Sequence, residues 1–196
     1  MKEATKKVLI ALGLFASLLS YANGSPEDSK EKESKVTTVN FDNVKLGSML
    51  SIKDMKGLVI YKEPISKPGN YSKGFDLTSL PNGDYFFELD TEMEIVIIPF
   101  NIVSNQVEFR KEEKTKIYKP SIRVKDDMVF VSRISFDASP MECKIYYADN
   151  NDLVRTEKFS NEKYVKKIYD FSASEEGEYI FVFETDGRKF TKSIKI

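Results

Sequence analysis

The residues of this chain that could do chemistry are mainly carboxylates, because the sequence has no histidine and one cysteine. The absence of histidine excludes Ser-His-Asp and Cys-His catalysis, histidine-ligated zinc and the commonest acid–base group at neutral pH. The single cysteine, Cys143, excludes cysteine-rich metal sites and an internal disulfide. The sequence also contains no glycine-rich phosphate loop. We therefore expect no catalytic residue and no cofactor.

Two acidic runs have the residue types that calcium prefers in a loop, namely Asp126-Asp127 and the pair Asp149 and Asp152. Neither run resembles an EF-hand, and Asp and Asn are also the usual residues of hairpin turns. We interpret both runs as turns and predict no metal site, with calcium at Asp149–Asp152 left as the alternative. A glycosidase would need two opposed carboxylates, and nothing in the sequence places such a pair.

Cys143 alternates with Met141, Ile145 and Tyr147 in an apolar segment. This pattern predicts a buried small hydrophobic residue. A reactive thiol needs a cationic neighbour or a helix end, and the sequence shows neither beside Cys143.

Apolar residues alternate with a period of two from Val36 onward, and no apolar stripe has helical spacing. Turn residues separate the alternating segments at Asp54–Gly57, Ser104-Asn105, Asp126-Asp127 and Asp186-Gly187. The strands predicted in this way include Met49–Lys53, Leu58–Lys62, Asp84–Leu89, Glu94–Val103, Met128–Ile134, Met141–Ala148, Glu178–Glu184 and Arg188–Ile196.

One stretch occurs twice: Phe75–Leu89 aligns without a gap with Tyr169–Phe183, 94 residues later. Each copy contains a strand, a turn that ends in Gly-acidic-Tyr, and an aromatic strand. Roughly seven short strands per unit, at short spacing, is typical of a β-sandwich. We predict an all-β fold of two tandem immunoglobulin-like or fibronectin III-like antiparallel β-sandwiches, with unit 1 at residues 36–112 and unit 2 at residues 116–196.

The repeated tyrosines, Tyr85 and Tyr179, each follow a glycine by two residues. In immunoglobulin-like sandwiches a tyrosine at this place bonds its hydroxyl to upstream backbone and fastens the loop between the sheets, an arrangement called a tyrosine corner. The cysteine of disulfide-bonded members lies two residues further on, where this chain has Phe87 and Phe181. We predict a structural role for the tyrosines, and core phenylalanines in place of a disulfide.

The same motif resembles β-sandwich domains of secreted Bacteroidetes proteins, including the C-terminal sorting (Por secretion tail) domain of the type IX secretion system. The matching residues of the first copy are Phe75, Asp76, Leu77, Leu80, Gly83 and Tyr85. Those of the second copy are Tyr169, Asp170, Phe171, Gly177 and Tyr179, followed by Lys192–Ile196. The resemblance implies the sandwich fold and, as an alternative function, a type IX cargo or sorting element whose second unit is read by the export machinery.

The N-terminus has the pattern of a cleaved secretory signal at residues 1–22. Lys2, Lys6 and Lys7 precede an apolar run, Val8–Leu19, and Ala22 ends a small-residue cleavage site. This run is shorter than the roughly 20 residues that span a membrane. Residues 23–35 contain no large apolar residue, which predicts a disordered tether. We expect export to the periplasm, the cell surface or the medium, with no transmembrane span in the mature chain.

Charges of both signs are mixed along the chain and nearly cancel, for a formal net charge of −1. This balance argues against nucleic acid as a partner. We predict a non-catalytic interaction or structural module at the cell envelope, with an unidentified protein or glycan as partner. The apolar run Ile95–Phe100 fits a central strand, an edge strand covered by a partner, or a strand at the seam between the units, and we favour the seam.

Overall fold

The computed structural model describes residues 36–196. The signal predicted at residues 1–22 and the tether predicted at residues 23–35 lie outside the described residues. The described chain forms strands β1 (Val36–Val44), β2 (Met49–Asp54), β3 (Val59–Pro64), β4 (Gly69–Asp76), β5 (Gly83–Asp90), β6 (Glu94–Val103), β7 (Gln106–Phe109), β8 (Thr115–Tyr118), β9 (Ser121–Lys125), β10 (Met128–Ile134), β11 (Met141–Tyr147), β12 (Asp152–Phe159), β13 (Tyr164–Asp170), β14 (Glu178–Thr185) and β15 (Arg188–Lys195). One 3₁₀ turn, Lys111–Glu113, lies between β7 and β8. The predicted all-β fold is confirmed.

The strands form two antiparallel sandwiches. In the first unit the sheet β3-β2-β5-β6-β7 lies over the two-stranded sheet β1-β4. In the second unit the sheet β12-β11-β14-β15 lies over β13-β10-β9. Each unit has its own core, and each core contains side chains of both sheets. The predicted tandem β-sandwiches are therefore confirmed.

The tight turns follow from residues that tolerate positive φ. Asp126 and Asp127 have φ values of 49° and 58° between β9 and β10. Ser104 and Asn105 have φ values of 52° and 61° between β6 and β7. Two consecutive residues with positive φ are typical of the type I′ turn, whose twist matches that of the strands it joins. The predicted hairpin turns at these positions are confirmed.

A proline in β6 explains why the strand beside it is interrupted. The amide of Arg110 donates to the carbonyl oxygen of Pro99 at 3.0 Å, so the backbone groups of Pro99 face β7 and β8. Because proline has no amide hydrogen, the ladder is missing a donor at this point. The partner strand leaves the sheet there as the turn Lys111–Glu113 and returns as β8, which pairs with Glu94–Ile97.

The boundary between the units differs from the one expected at Lys116. Strand β8 contains Lys116 and pairs with β6 of the first unit. The first strand that pairs within the second unit is β9, which begins at Ser121. The charged run Lys111–Lys114 thus lies between two strands, β7 and β8, that both pair with β6 of the first sandwich. The connection between the units is Lys119-Pro120.

Strand β8 determines which ends of the two units meet. β8 brings the chain back to the turn between β5 and β6, because Tyr118 pairs with Glu94. The second unit therefore starts at this end of the first. The ring of Tyr118 contacts Phe136 of the second unit, with ring centroids 5.7 Å apart. Lys119 forms an ion pair with Asp90.

The two units meet through equivalent ends. In the first unit Met49 pairs with Asp90, so the β2–β3 turn lies at the opposite end, beside Tyr85. In the second unit Met141 pairs with Thr185, so the β11–β12 turn lies far from Arg188. Since the ends with Asp90 and Arg188 contact each other, the β2–β3 and β11–β12 turns point away from the interface; we call them the distal turns.

An ion pair with a buried carboxylate joins the units across the seam. Glu88 lies on the face of β5 that points away from the core, yet it is only 3% exposed. Its carboxylate accepts hydrogen bonds from Arg188 of the second unit at 2.5 Å and from Lys53 at 2.6 Å. Ile95, which lies in the apolar run of β6, is also buried and is not among the residues of the first core. The apolar run thus pairs on both sides and passes close to the seam.

A buried cation, Arg133, supports the hairpin that carries Arg188. The Arg133 guanidinium donates to Asp186 and to the Ser139 carbonyl oxygen, both at 2.7 Å. Asp186 has a φ of 52° in the β14–β15 turn, two residues before Arg188. Arg133 therefore holds the turn from which Arg188 reaches Glu88.

Glu88→Gln tests the ionic part of the seam. Burial alone would raise the pKa of Glu88, but hydrogen bonds from Arg188 and Lys53 outweigh it and lower the pKa below the ordinary 4.5. A lowered pKa stabilises the fold above about pH 4.5, and this contribution is lost as the pH falls through the folded-state pKa. We expect Glu88→Gln to lower the free energy of unfolding by about 3 kcal/mol at pH 7.

The penalty should shrink on acidification below about pH 4.5, because the wild-type protein loses the contribution of its carboxylate as the pH falls toward the lowered folded-state pKa of Glu88. Urea denaturation at a series of pH values measures this. Glu92→Gln, an exposed carboxylate of the β5–β6 turn, is the matched control. An equal penalty at pH 7 and pH 3 would show that Glu88 contributes packing rather than charge.

Candidate functional site

Both repeated tyrosines fasten their own loop. The Tyr85 hydroxyl donates to the Pro81 carbonyl oxygen at 2.9 Å, and the Tyr179 hydroxyl donates to the Glu175 carbonyl oxygen at 2.9 Å. Each acceptor lies four residues upstream, in the loop that crosses from one sheet to the other. Both rings are buried. The arrangement has the geometry of a tyrosine corner and no open face toward a ligand.

The two glycines of the repeated motif differ in how much space surrounds them. A β-carbon at Gly177 would lie 2.6 Å from Cε2 of Tyr147 and 2.8 Å from its hydroxyl oxygen. The Tyr147 hydroxyl donates to the Glu176 carbonyl oxygen at 3.1 Å, so the second loop has an extra fastening. At Gly83 the nearest atom would be 3.6 Å away, an ordinary contact. The close approach therefore requires glycine at position 177.

The phenylalanines two residues after each tyrosine lie at the centre of the cores. Phe87 and Phe181 are fully buried. Phe87 packs between Phe75 and Phe100, with ring centroids 5.3 and 5.1 Å apart. Phe181 contacts Tyr169 at 5.8 Å. Ring pairs at these separations stabilise a core beyond the area they bury.

The acidic runs form turns. The Asn150 side-chain amide donates to Asp152 at 2.7 Å and accepts from the Asp152 backbone amide at 3.0 Å. The Tyr147 hydroxyl oxygen lies 3.3 Å from an Asp149 carboxylate oxygen. Asp126 and Asp127 form the β9–β10 turn described above. No group of three or more His, Cys, Asp or Glu side chains within residues 36–196 could hold a metal ion.

The cysteine lies inside the second core. Cys143 is buried on β11 among the residues of that core. Burial raises the pKa of its thiol to about 11, so the thiol stays protonated at neutral pH. A protonated, buried thiol is a poor nucleophile.

A polar cluster in the first unit was missed from the sequence. Glu63 on β3 accepts a hydrogen bond from Tyr61 at 2.5 Å and another from Tyr71 on β4. Lys73 donates to the same carboxylate at 2.6 Å and lies 5.5 Å from the centre of the Phe75 ring. Strands β3 and β4 belong to different sheets, so this cluster links the two sheets at the open side of the sandwich.

The second unit repeats this cluster 94 residues later. Glu157 on β12 accepts from Tyr169 on β13 at 3.0 Å. Arg155 donates to Glu157 at 2.8 Å, and Lys167 lies 3.3 Å from it. The spacing that aligns Tyr85 with Tyr179 also aligns Glu63 with Glu157. We call the two clusters the side clasps, and this shared spacing is the sequence signal that could have found them.

The side clasps hold their carboxylates ionised. Burial by itself would raise the pKa of Glu63, but hydrogen bonds from Lys73, Tyr61 and Tyr71 lower it. The pKa of Glu157 is lowered in the same way against its burial. Burial, and then the hydrogen bond to Glu63, raise the pKa of Tyr71 well above its usual range. These groups therefore do not exchange protons near neutral pH, and the clasps are structural.

Exposed aliphatic side chains mark both distal turns. Leu58 is 66% exposed and Val59 is 47% exposed where β3 begins. Leu153 and Val154 are 55% and 54% exposed at the start of β12. The pairs are 95 residues apart, so they form part of the repeat. Both lie on strands at the edge of their sheet. We call them the distal aliphatic pairs.

Comparison with known proteins gives only weak structural matches. No protein-family model matches the chain, and no curated protein matches it. Two similar solved structures are the BSP domain of a biofilm-associated protein, at 15% identity and a TM-score of 0.29, and the chicken CNTN1 FN1–FN3 domains, at 13% identity and a TM-score of 0.29.

The matches cover 82% and 83% of this chain. The chain spans 27% of the length of the biofilm-associated protein and 60% of that of the CNTN1 fragment. These scores support no functional inference, and the strand order of the chain itself defines the fold. No helix within residues 36–196 is long and apolar enough to cross a membrane.

Tyr85→Phe and Tyr179→Phe test the structural role of the tyrosines. Each change removes one hydroxyl bond to a loop carbonyl and leaves the ring in place. We expect each to lower the free energy of unfolding by about 1 kcal/mol. Thermal denaturation measures the loss, and Tyr164→Phe, at an exposed tyrosine of β13, is the control. Unchanged stability with loss of partner binding would instead assign these tyrosines to a ligand site.

Proposed function

We propose that this protein is an exported, non-catalytic β-sandwich module that joins two partner molecules or two sites of one partner at the cell envelope. The observation that carries this proposal is that each unit has a distal aliphatic pair. Each pair exposes two large aliphatic side chains at the start of an edge strand, and both units have such a pair. Export itself rests on the signal predicted at residues 1–22, outside the described residues.

The position of the distal aliphatic pairs supports a bridging role. The sandwiches meet through equivalent ends, so both distal turns lie away from the interface. The buried Glu88–Arg188 pair at the seam opposes independent movement of the units. A rigid pair of equal surfaces is suited to binding two equal sites. Linked binding of this kind raises the apparent affinity without any new contact.

Edge strands also supply the means of binding. The outer backbone groups of an edge strand are free to pair with an added strand or to meet a partner surface. Charged residues along these edges, such as Lys62 on β3 and Lys158 on β12, disfavour self-association through strand pairing. The aliphatic pairs lie at the start of the strands, outside this charged stretch.

The state of the carboxylates supports a non-catalytic role. A general acid for glycoside hydrolysis needs a raised pKa. Where the pKa of a carboxyl group within residues 36–196 clearly departs from its ordinary value, it is lowered, as for Glu63, Glu88 and Glu157. Each of these three carboxylates forms an ion pair with a lysine or arginine.

The sorting role implied by the resemblance stays a prediction. The residues of the second unit that carry the resemblance serve the fold: Tyr169 and Phe171 pack in the core, and Tyr179 fastens its loop. These roles are needed in any sandwich of this kind, so they do not favour sorting over a bridging role.

Photo-crosslinking tests the distal aliphatic pairs. A benzoylphenylalanine placed at Leu58 or at Leu153 should crosslink the same partner in cells that make the protein. The control is Ile168, which is 54% exposed on a sheet face. We expect Leu58→Lys and Leu153→Lys each to weaken binding about tenfold, because burying one leucine contributes roughly 1.5–3 kcal/mol.

The double variant should weaken binding by about the product of the two single effects, because the free energies of contacts at two linked sites add. Equal crosslinking at all three positions, or binding that only one distal turn affects, would contradict the bridging role.

A further inference from the structure

Strand β1 lacks a neighbour that its counterpart in the second unit has. β10 lies between β13 and β9, whereas β1 pairs with β4 and with no other strand of residues 36–196. The two strands are equivalent: Val39 pairs with Lys73, and Val131 pairs with Lys167, which lies 94 residues after Lys73. Both valines are buried. The free side of β1 therefore corresponds to the side of β10 that β9 occupies.

An open groove of about 400 Å³ runs along this free side. Its floor is apolar, because Val39 and Ile98 are buried and Phe109 packs against the first core. The groove is lined by Thr37, Thr38, Val39 and Asn40 on β1 and by Ile98, Phe109, Lys111 and Lys114 on the opposite side. We call it the β1 groove.

Strand β9 shows what an occupant of such a position contributes. Ile122 of β9 pairs with Val131 and packs, partly buried, against the second core. By the same register, an added strand beside β1 would place one side chain opposite Val39, over the apolar floor. An aliphatic residue at that position would contribute what Ile122 contributes in the second unit.

The rim of the β1 groove is basic. Lys111 and Lys114 are exposed, and neither forms an ion pair with another residue of the described chain. The 3₁₀ turn opposite Pro99 holds Lys111 away from β6 and beside the groove. A strand with carboxylate side chains would be attracted to this rim, and a basic strand such as β9, with Arg123 and Lys125, would be repelled.

We propose that the β1 groove binds an extended, acidic segment of another protein as an added β-strand, with one aliphatic residue opposite Val39. The chain's own residues just before β1, Ser29–Glu33, contain no aliphatic residue to offer for that position. The site is separate from the distal aliphatic pairs, so it can stand or fail independently of the bridging role.

A synthetic peptide provides the test. The probe has the β9 sequence Ser121–Lys125 with Arg123→Glu and Lys125→Glu, so it keeps the isoleucine and carries negative charge. Hydrogen exchange of the full-length protein is followed by NMR with and without the probe. We expect at least tenfold slower exchange of alternate backbone amides within Val36–Phe41, because only every second residue faces the added strand.

Two controls separate strand addition from charge attraction. A probe with N-methylated backbone amides keeps its side chains but cannot complete the ladder, and should give no protection. The protein variant Lys111→Glu with Lys114→Glu should weaken binding at least tenfold. Lys166→Glu, at an exposed lysine of β13 in the second unit, should leave it unchanged.

Four results would overturn the proposal. Slow exchange of the same amides in the free protein would mean that the chain itself fills the groove. Protection that rises with protein concentration would mean that a second copy fills it. Protection by the N-methylated probe, or none by the unmodified probe, would exclude strand addition.

Discussion

The arrangement of the two sandwiches depends on the buried carboxylate of Glu88. It is 3% exposed, and a carboxylate so far from water must be paired or protonated. One partner, Lys53, comes from the same sheet, and the other, Arg188, comes from the second unit. Separating the units would leave Glu88 with only one of these two cationic partners. The energetic cost of burying one charge thus couples two domains that each have a complete core.

The backbone brings these charges together through Pro99. Because Pro99 cannot donate to the strand beside it, that strand is split into β7 and β8 by a short turn. β8 then returns the chain to the end of the first unit that carries Asp90, and the second unit starts there. Equivalent ends therefore meet, both distal aliphatic pairs face outward, and the turn places Lys111 on the rim of the β1 groove. One missing hydrogen-bond donor influences the seam and both proposed binding surfaces.

Much of the fold could be predicted from the sequence, because its local signals agree. Alternating apolar residues predict β6 and β10 with the bounds that the structure has, and pairs such as Asp126-Asp127 predict hairpin turns with positive φ. The tyrosines were recognised because a glycine precedes each at the same distance. These signals depend on neighbouring residues, so the sequence displays them directly.

The features missed from the sequence depend on contacts between distant residues. Glu88 alternates with apolar residues, whereas Glu63 and Glu157 lie in strands with several charged residues. A carboxylate in either pattern ordinarily faces water. Only the tertiary structure shows that Arg188 covers Glu88 and that neighbouring strands cover the other two. The run Lys111–Lys114 has the composition of a linker, and its place within a strand pair follows from Pro99.

A double-mutant cycle between Glu88 and Arg188 tests most directly whether this ion pair couples the two units. The free energies of unfolding of Glu88→Gln, Arg188→Gln and the double variant are compared with that of the wild-type protein at neutral pH. Residues in contact within an ion-pair network typically show a coupling energy of about 0.5–3 kcal/mol, and we predict a favourable value of at least about 1 kcal/mol. Additive effects, within roughly 0.3 kcal/mol, would show that the two residues do not interact and would contradict the seam as described.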